Sequence, residues 1–223
     1  MVKTNKNKIF FAKTRSKKMS KESSFLVSST GTSKTQETEN KIDSPKGNPL
    51  LISISITLMD VISNNHLKEH YKHKLKLQSK HNFTSKTIPK ISFGDYITRV
   101  LNYTQINDST LIMALVYMDR FCKNRKILLT EFNLHRIFFS ALLVAIKYNE
   151  DIYYSNLYYA KIGGLKLKKL NKLEAEFLSG ISFQLFVDEN VYEQYESKLI
   201  YAMMDNNDDN KFSFLTQGAL LEY

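Results

Sequence analysis

The sequence predicts an all-α protein, and three observations lead to that prediction. The 223 residues include only 7 Gly and 3 Pro, too few for the many turns of an all-β fold. Apolar residues recur at helical spacing from about residue 51 onward, and we find no convincing strand pattern. With 43% hydrophobic and 12% aromatic residues, the chain can bury a core. We therefore expect helices joined by short loops and packed as a bundle.

The first 50 residues differ from the rest in charge and composition. They hold 11 Lys or Arg against 4 Asp or Glu, so most of the net charge of +10 lies there. Such a polar, basic segment buries too little apolar surface to offset its ordering entropy, and we expect residues 1–50 to be a disordered tail. Its clusters, such as "RSKK" at 15–18, fit a nuclear import signal, a loose polyanion contact or a solvated tail without a fixed role.

The remaining chain divides into three parts. Residues 51–88 are expected to hold an N-terminal helix, over about 56–78, and a linker, and residues 204–223 a C-terminal tail. Between them, Ser92 with Asp95 three residues on predicts a capped helix start. "YYSNLYYAKIGG" (153–164) indicates a short helix or turn. The five long helices of residues 89–203 are expected at about Ser92–Tyr103, Asp108–Cys122, Thr130–Tyr148, Lys166–Ser179 and Asp188–Met203.

The third of these five helices is apolar on every side from Ile137 to Ile146. A helix without a polar face must be surrounded by other helices, so we expect it at the centre of the domain. Lys147 follows where this helix reaches the surface. Taken alone, Lys147 also suits the negative end of the helix dipole and can extend its amine to water.

Two carboxylates interrupt otherwise apolar helix faces. Glu174 falls within about 30° of the centre of the apolar face of the fourth helix, whereas Glu176 falls on the opposite side. A carboxylate in an apolar stripe must be paired or must meet a partner. Asp119 lies on the flank of the buried face of the second helix, and Arg120 points away from it. For Asp119 we favour an intramolecular ion pair or a cap to a neighbouring helix.

Four separated motifs resemble those of a cyclin box. They are "YMDRF", "LTEFNLHRIFFSALLVAIKYNED", "YYSNLYYAKIGG" and "LNKLEAEFLSGISFQL", in that order and at the family's spacing. Three of their elements are more narrowly similar to the P/U-type cyclins, the group that includes the yeast phosphate-signalling cyclin. The resemblance covers about residues 88–200. It implies one five-helix cyclin box, preceded here by the additional N-terminal helix and the basic tail.

The resemblance also implies a role for the lysine and the glutamate. In cyclins a lysine at the end of the third box helix and a glutamate of the next long helix bind backbone groups of the kinase near its C helix. Lys147 and Glu174 match those positions. By the same transfer, an apolar groove for the kinase helix would be lined by Val144, Tyr148, Leu178, Phe183 and Leu185.

The sequence departs from the family pattern in three respects. Many cyclins pair the aspartate of the second box helix with an arginine at the start of the first. Here that position holds Lys90, so Arg99, later in the helix, is the candidate partner for a structural ion pair with Asp119. We identify no motif for the apolar docking patch of cell-cycle cyclins. We also expect no second cyclin box after residue 200.

Three functions remain as hypotheses. The first is a regulatory subunit, not an enzyme, that binds and activates a cyclin-dependent kinase without a cofactor, in cell-cycle or phosphate signalling. The second is a cyclin-fold scaffold or nucleic-acid-associated protein, suggested by the basic tail and by tyrosines near lysines at 153–161. The third is a zinc enzyme, because "HLKEH" fits H-x-x-E-H with Glu150 as a nominal third ligand. That motif lies in a lysine-rich helix with no core to shield a metal.

The single cysteine, Cys122, excludes an internal disulfide and fits a reducing compartment. We therefore expect the protein in the nucleus, the cytoplasm or both. We also expect no membrane partner, and only weak contact between the tail and nucleic acid.

Overall fold

The computed structural model describes residues 48–204, and all of its regular elements are helices, as predicted. Residues 1–47 and 205–223, and with them the predicted basic tail and C-terminal tail, lie outside the described residues. The predicted cyclin-box segment therefore lies within the described part. The eight described helices are α1 (Pro49–His66), α2 (Tyr71–Gln78), α3 (Phe93–Asn102), α4 (Asp108–Arg125), α5 (Leu134–Asn149), α6 (Asn156–Ile162), α7 (Leu167–Gly180) and α8 (Glu189–Met204).

The N-terminal helix begins earlier than predicted, and the segment 56–78 is not one helix. Asn48 caps α1 by accepting from the backbone N–H of Leu50 at 3.0 Å. The buried amides of Asn65 and Gln78 donate to the adjacent carbonyls of Leu129 and Leu128, each at 3.0 Å. A straight helix would hold these amides about 20 Å apart. The chain therefore bends, by 111° between α1 and α2, so that both reach one segment.

Within residues 48–204, no single helix is both long enough and apolar enough to cross a membrane. The pair α1 and α2 meets the length and composition requirement only when the two are taken together.

The capped start of α3 is confirmed. Ser92 accepts from the backbone N–H of Asp95 at 3.1 Å and donates to its carboxylate at 2.6 Å. The two satisfied donors fix the direction in which the chain enters the helix.

Helix α4 begins at Asp108, as predicted, whereas α5 begins at Leu134, four residues after the predicted Thr130. For α5 the N-cap is Asn133, whose side-chain amide oxygen accepts from the backbone N–H of Thr130 at 2.9 Å. For α4 the N-cap is Asn107, and the cap comes from a distant side chain. Glu150, just after α5, accepts from the backbone N–H of Asn107 at 3.0 Å and from the hydroxyl of Thr110 at 2.6 Å. A carboxylate there also complements the helix dipole.

The central position of α5 is confirmed, because every residue from Ile137 to Ile146 is buried. It packs most extensively on α4 and then on α7. Around it, α1 packs on α8 and α3, and the hydroxyl of Ser53 in α1 donates to the carbonyl of Leu199 at 2.9 Å. The N-terminal helix is therefore part of the same core as the box helices.

The segment 153–164 forms the short helix α6, capped by Ser155, which accepts from the N–H of Tyr158. Two glycines make room for aromatic rings of the core. A Cβ atom on Gly163 would overlap the ring of Phe139, and one on Gly180 would overlap the ring of Phe121. The Phe121 ring in turn stacks on Phe177, with centroids 4.7 Å apart.

We expect Gly180→Ala to lower the free energy of unfolding by about 1–3 kcal/mol, because overpacking the Phe121 ring outweighs the roughly 1 kcal/mol gained in helix propensity. Gly94→Ala is the matched control, since a Cβ there would meet only the Ser55 hydroxyl at 3.4 Å, an ordinary contact. Urea unfolding of both variants measures the difference. Equal stability of the two would contradict this account of Gly180.

Candidate functional site

The structure brings Lys147 and Glu174 together. The amine of Lys147, in the last turn of α5, lies 2.6 Å from a carboxylate oxygen of Glu174 in α7. The side chains are 28% and 15% exposed, so the pair lies at the edge of the core and not in open solvent. It is an ion pair that a partner can still reach.

A third residue holds the glutamate in place. The amide of Asn156, at the start of α6, donates to the second carboxylate oxygen of Glu174 at 2.7 Å and to Asn171 at 2.8 Å. Both oxygens of Glu174 are therefore engaged, one by a charge and one by a neutral amide. Asn156 orients the carboxylate from a third helix, which sequence periodicity did not indicate.

Five apolar residues were expected to line a groove, and the structure corrects the assignment of one of them, Val144. Its side chain is only 3% exposed, because it faces the core from the central helix. Tyr148 and Phe183 are 50% and 68% exposed, so both are available to a partner. Leu178 and Leu185 are half-buried and pack against the core.

The loop between α7 and α8 presents its aromatic side chains in an unusual backbone conformation. Ser182 and Phe183 have φ angles of 53° and 57°, in the left-handed region that non-glycine residues rarely adopt. The N–H of Phe183 donates to the carbonyl of Leu178 at 2.9 Å, which closes the end of α7. Phe186, 73% exposed in the same loop, was not singled out from the sequence.

Two side chains of α4 hold this loop by hydrogen bonds to its backbone carbonyls. Tyr117 donates its hydroxyl to the carbonyl of Leu185 at 2.6 Å. Burial, and to a smaller extent Tyr148, raises the pKa of Tyr117, so the hydroxyl remains a donor at neutral pH. Arg120 donates to the carbonyls of Gln184 and Phe186, both at 2.9 Å. The sequence pattern placed Arg120 away from the core, but its guanidinium fixes the loop.

These contacts define one continuous surface, which we call the α5–α7 surface (Lys147, Tyr148, Glu174, Leu178, Phe183 and Phe186). Lys147 joins Glu174, and Glu174 lies one turn before Leu178 on α7. Leu178 in turn binds Phe183 through the backbone. The surface combines one polar pair with exposed aromatic rings on a fixed loop.

The predicted ion pair between Asp119 and Arg99 is not formed, because each residue has another partner. Asp119 accepts from the hydroxyl of Tyr195 in α8 at 2.7 Å. Arg99 donates to the carbonyl of Lys161 at the end of α6, at 3.3 Å. Helical periodicity predicts which face of a helix carries a residue, but not which neighbouring helix that face meets.

One further expectation needs correction, and the zinc alternative lacks the geometry that it requires. Glu176 does not point freely to water, since it accepts from the amide of Asn82 in the linker at 2.8 Å. The zinc hypothesis required His66 and His70 on one helix face, but α1 ends at His66 and His70 precedes α2. His66 instead pairs with Glu131 at 3.0 Å. Among residues 48–204 no cluster of three or more His, Cys, Asp or Glu is arranged to hold a metal ion.

Comparison with known proteins gives a consistent result. The family model described as Cyclin matches residues 15–185. The chain is 41% identical to Cyclin-U2-1 of Arabidopsis thaliana over 116 residues, which are 51% of this chain and 51% of that protein. It is 38% identical to Cyclin-P4-1 of Oryza sativa subsp. japonica over 114 residues, 51% of this chain and 54% of that protein. The chain thus spans about half the length of these relatives, and the similarity to P/U-type cyclins is shown.

We expect Asp119→Ala to lower the free energy of unfolding by about 1–3 kcal/mol, because it removes the acceptor of the Tyr195 hydroxyl, a side chain that is 4% exposed. Asp151→Ala is the matched control, because it also removes one carboxylate, but at an exposed position. Thermal or urea unfolding compares the two. A normal melting temperature for Asp119→Ala together with loss of partner binding would assign Asp119 to an interface instead.

Proposed function

The chain belongs to the cyclin family, and we propose on that premise that it is the regulatory subunit of a cyclin-dependent protein kinase. A cyclin regulates and performs no catalysis itself, so the proposal assigns no chemistry to this chain. The kinase would bind the α5–α7 surface through its C helix. The Lys147–Glu174 pair is the observation that carries the proposal, because it combines opposite charges, partial burial and access from outside.

The polar pair suits recognition of a peptide backbone. The ammonium group of Lys147 has three donors and uses one for Glu174, so it can also donate to a kinase carbonyl. A carboxylate accepts several hydrogen bonds, so Glu174 can accept from a kinase N–H while Asn156 keeps it oriented. Because the pair forms in the free chain, little side-chain entropy is lost when the kinase binds.

The apolar part of the surface supplies buried area. Tyr148, Phe183 and Phe186 are each at least half exposed, and large aromatic side chains dominate the energetics of protein interfaces. Tyr117 and Arg120 hold the loop, so Phe183 and Phe186 are presented without a large ordering cost. A helix docked on this surface would be held by aromatic side chains beside one charged clamp.

Activation would follow from the position of the kinase's own helix. In active protein kinases, a lysine of the small lobe pairs with a glutamate of the C helix. A cyclin that holds the C helix turned inward favours the state in which this ion pair exists. The proposal includes localisation in the nucleus, the cytoplasm or both, where such kinases act.

We expect Lys147→Ala and Glu174→Ala each to weaken kinase binding by roughly 2–5 kcal/mol, because each leaves kinase backbone groups unpaired in a desolvated interface. The cost to folding should be smaller, about 1–2 kcal/mol, since the pair lies at the edge of the core and its remaining member can reach water. Binding to a panel of purified cyclin-dependent kinases, together with phosphorylation of a peptide substrate, measures both steps of the proposal.

Lys123→Ala and Glu193→Ala are the matched controls, because they remove the same charges at exposed positions of α4 and α8. Normal kinase affinity of both site variants would refute the proposed contact. Unfolding of both would show instead that the pair is required by the isolated fold.

A further inference from the structure

A run of lysines on the described surface has no role in the proposed kinase contact. Residues 152–173 contain no Asp, Glu or Arg but five lysines, which we call the lysine ridge (Lys161, Lys166, Lys168, Lys169 and Lys172). Four of the five are exposed, and Lys169 is half-buried. Among residues 48–204 none of the five forms a salt bridge.

The two carboxylates of α7 are engaged by other residues, although Glu176 also attracts Lys169, whose amine donates to Asn82 at 3.2 Å. Glu174 is bound by Lys147 and Asn156, and Glu176 accepts from Asn82 and lies 3.8 Å from His81. The four exposed lysines of the ridge therefore carry positive charge that no salt bridge compensates.

The ridge also opposes the electrostatics of its own helix. Lys166 is the N-cap of α7, its side chain makes no capping hydrogen bond, and the first turn holds no acidic residue. Positive side chains at a helix N-terminus are unfavourable because the helix dipole is positive there. Burial, then Arg136 and then Lys172, lowers the pKa of Lys169. This arrangement costs stability in the free chain, and a negatively charged partner would relieve that cost.

We propose that the lysine ridge binds an acidic polypeptide segment, rich in Asp and Glu, and that the segment belongs to the kinase substrates which this cyclin recruits. The recruitment half of the proposal rests on the proposed function, whereas the binding half concerns the isolated chain. The ridge adjoins the kinase contact, since Lys172 precedes Glu174 by two residues on α7 and Lys168 precedes it by six, about 9 Å. A substrate held there would lie beside the bound kinase.

The size and chemistry of the ridge favour a peptide over a nucleic acid. The part of the ridge from the N-cap Lys166 to Lys172 in α7 extends about 9 Å. Three or four residues of an extended peptide match this length. Five lysines fall short of the roughly six to ten phosphate contacts of a dedicated nucleic-acid surface. Two of the nearby tyrosines are engaged, as the rings of Tyr154 and Tyr158 lie 4.3 Å apart and Tyr158 donates to the carbonyl of Tyr103 at 3.0 Å.

The test uses the full chain without a kinase and a fluorescent octaglutamate peptide, with octaglutamine and single-stranded octathymidylate as comparisons. The variant is Lys166→Gln, Lys168→Gln and Lys172→Gln combined. The matched control removes three exposed lysines elsewhere, as Lys72→Gln, Lys76→Gln and Lys80→Gln. We expect the ridge variant to lose about tenfold in octaglutamate affinity and the control to lose less than about twofold. The melting temperature of the ridge variant should not fall, because its charges oppose the dipole.

Equal losses of octaglutamate affinity in the two variants would show that binding depends only on net charge, which would overturn the proposal. So would undetectable octaglutamate binding by the wild-type chain, or octathymidylate binding as tight as octaglutamate binding. Because no kinase is present, these outcomes are independent of whether Lys147 and Glu174 bind one.

Discussion

The enclosure of α5 is the constraint on which the rest of the fold depends. Ten consecutive residues, Ile137 to Ile146, are buried on every side, so helices must cover the whole circumference. The chain meets this requirement with α4 and α7 packed against α5, and with rings of α3 in contact with Phe138 and Phe139 of α5. Where the enclosure ends, Lys147 is the first residue of α5 after this run that can carry charge to the surface. The position of the candidate site therefore follows from where the core stops.

Sequence reasoning succeeded where a local rule and the tertiary structure agree. Ser92 and Asp95 form the expected cap, and the apolar run of α5 is the expected centre. The family resemblance assigned Lys147 and Glu174 to one kinase contact, and the structure brings them together. For the cap and the central helix, a short stretch of sequence contains the whole physical reason.

Sequence reasoning failed where a residue distant in the chain determines a bend or a contact. The bend between α1 and α2 has no glycine or proline to mark it, and it exists because Asn65 and Gln78 bind neighbouring carbonyls. Asp119 accepts from Tyr195 in α8 and does not pair with Arg99. Periodicity could not predict this, because it contains no information on which helix is adjacent. Transfer from the family assigned Val144 to a groove, but only a structure shows that its side chain is 3% exposed.

The cap that Glu150 provides for α4 has a consequence for synthesis on the ribosome. The backbone N–H of Asn107 obtains its acceptor from a residue 43 positions later in the chain. Until that residue has emerged, the first turn of α4 depends on water for its free N–H groups. The helix can then be completed only together with the end of α5. The α4–α5 hairpin is therefore expected to become stable as one unit once Glu150 has emerged, and not helix by helix as the chain appears.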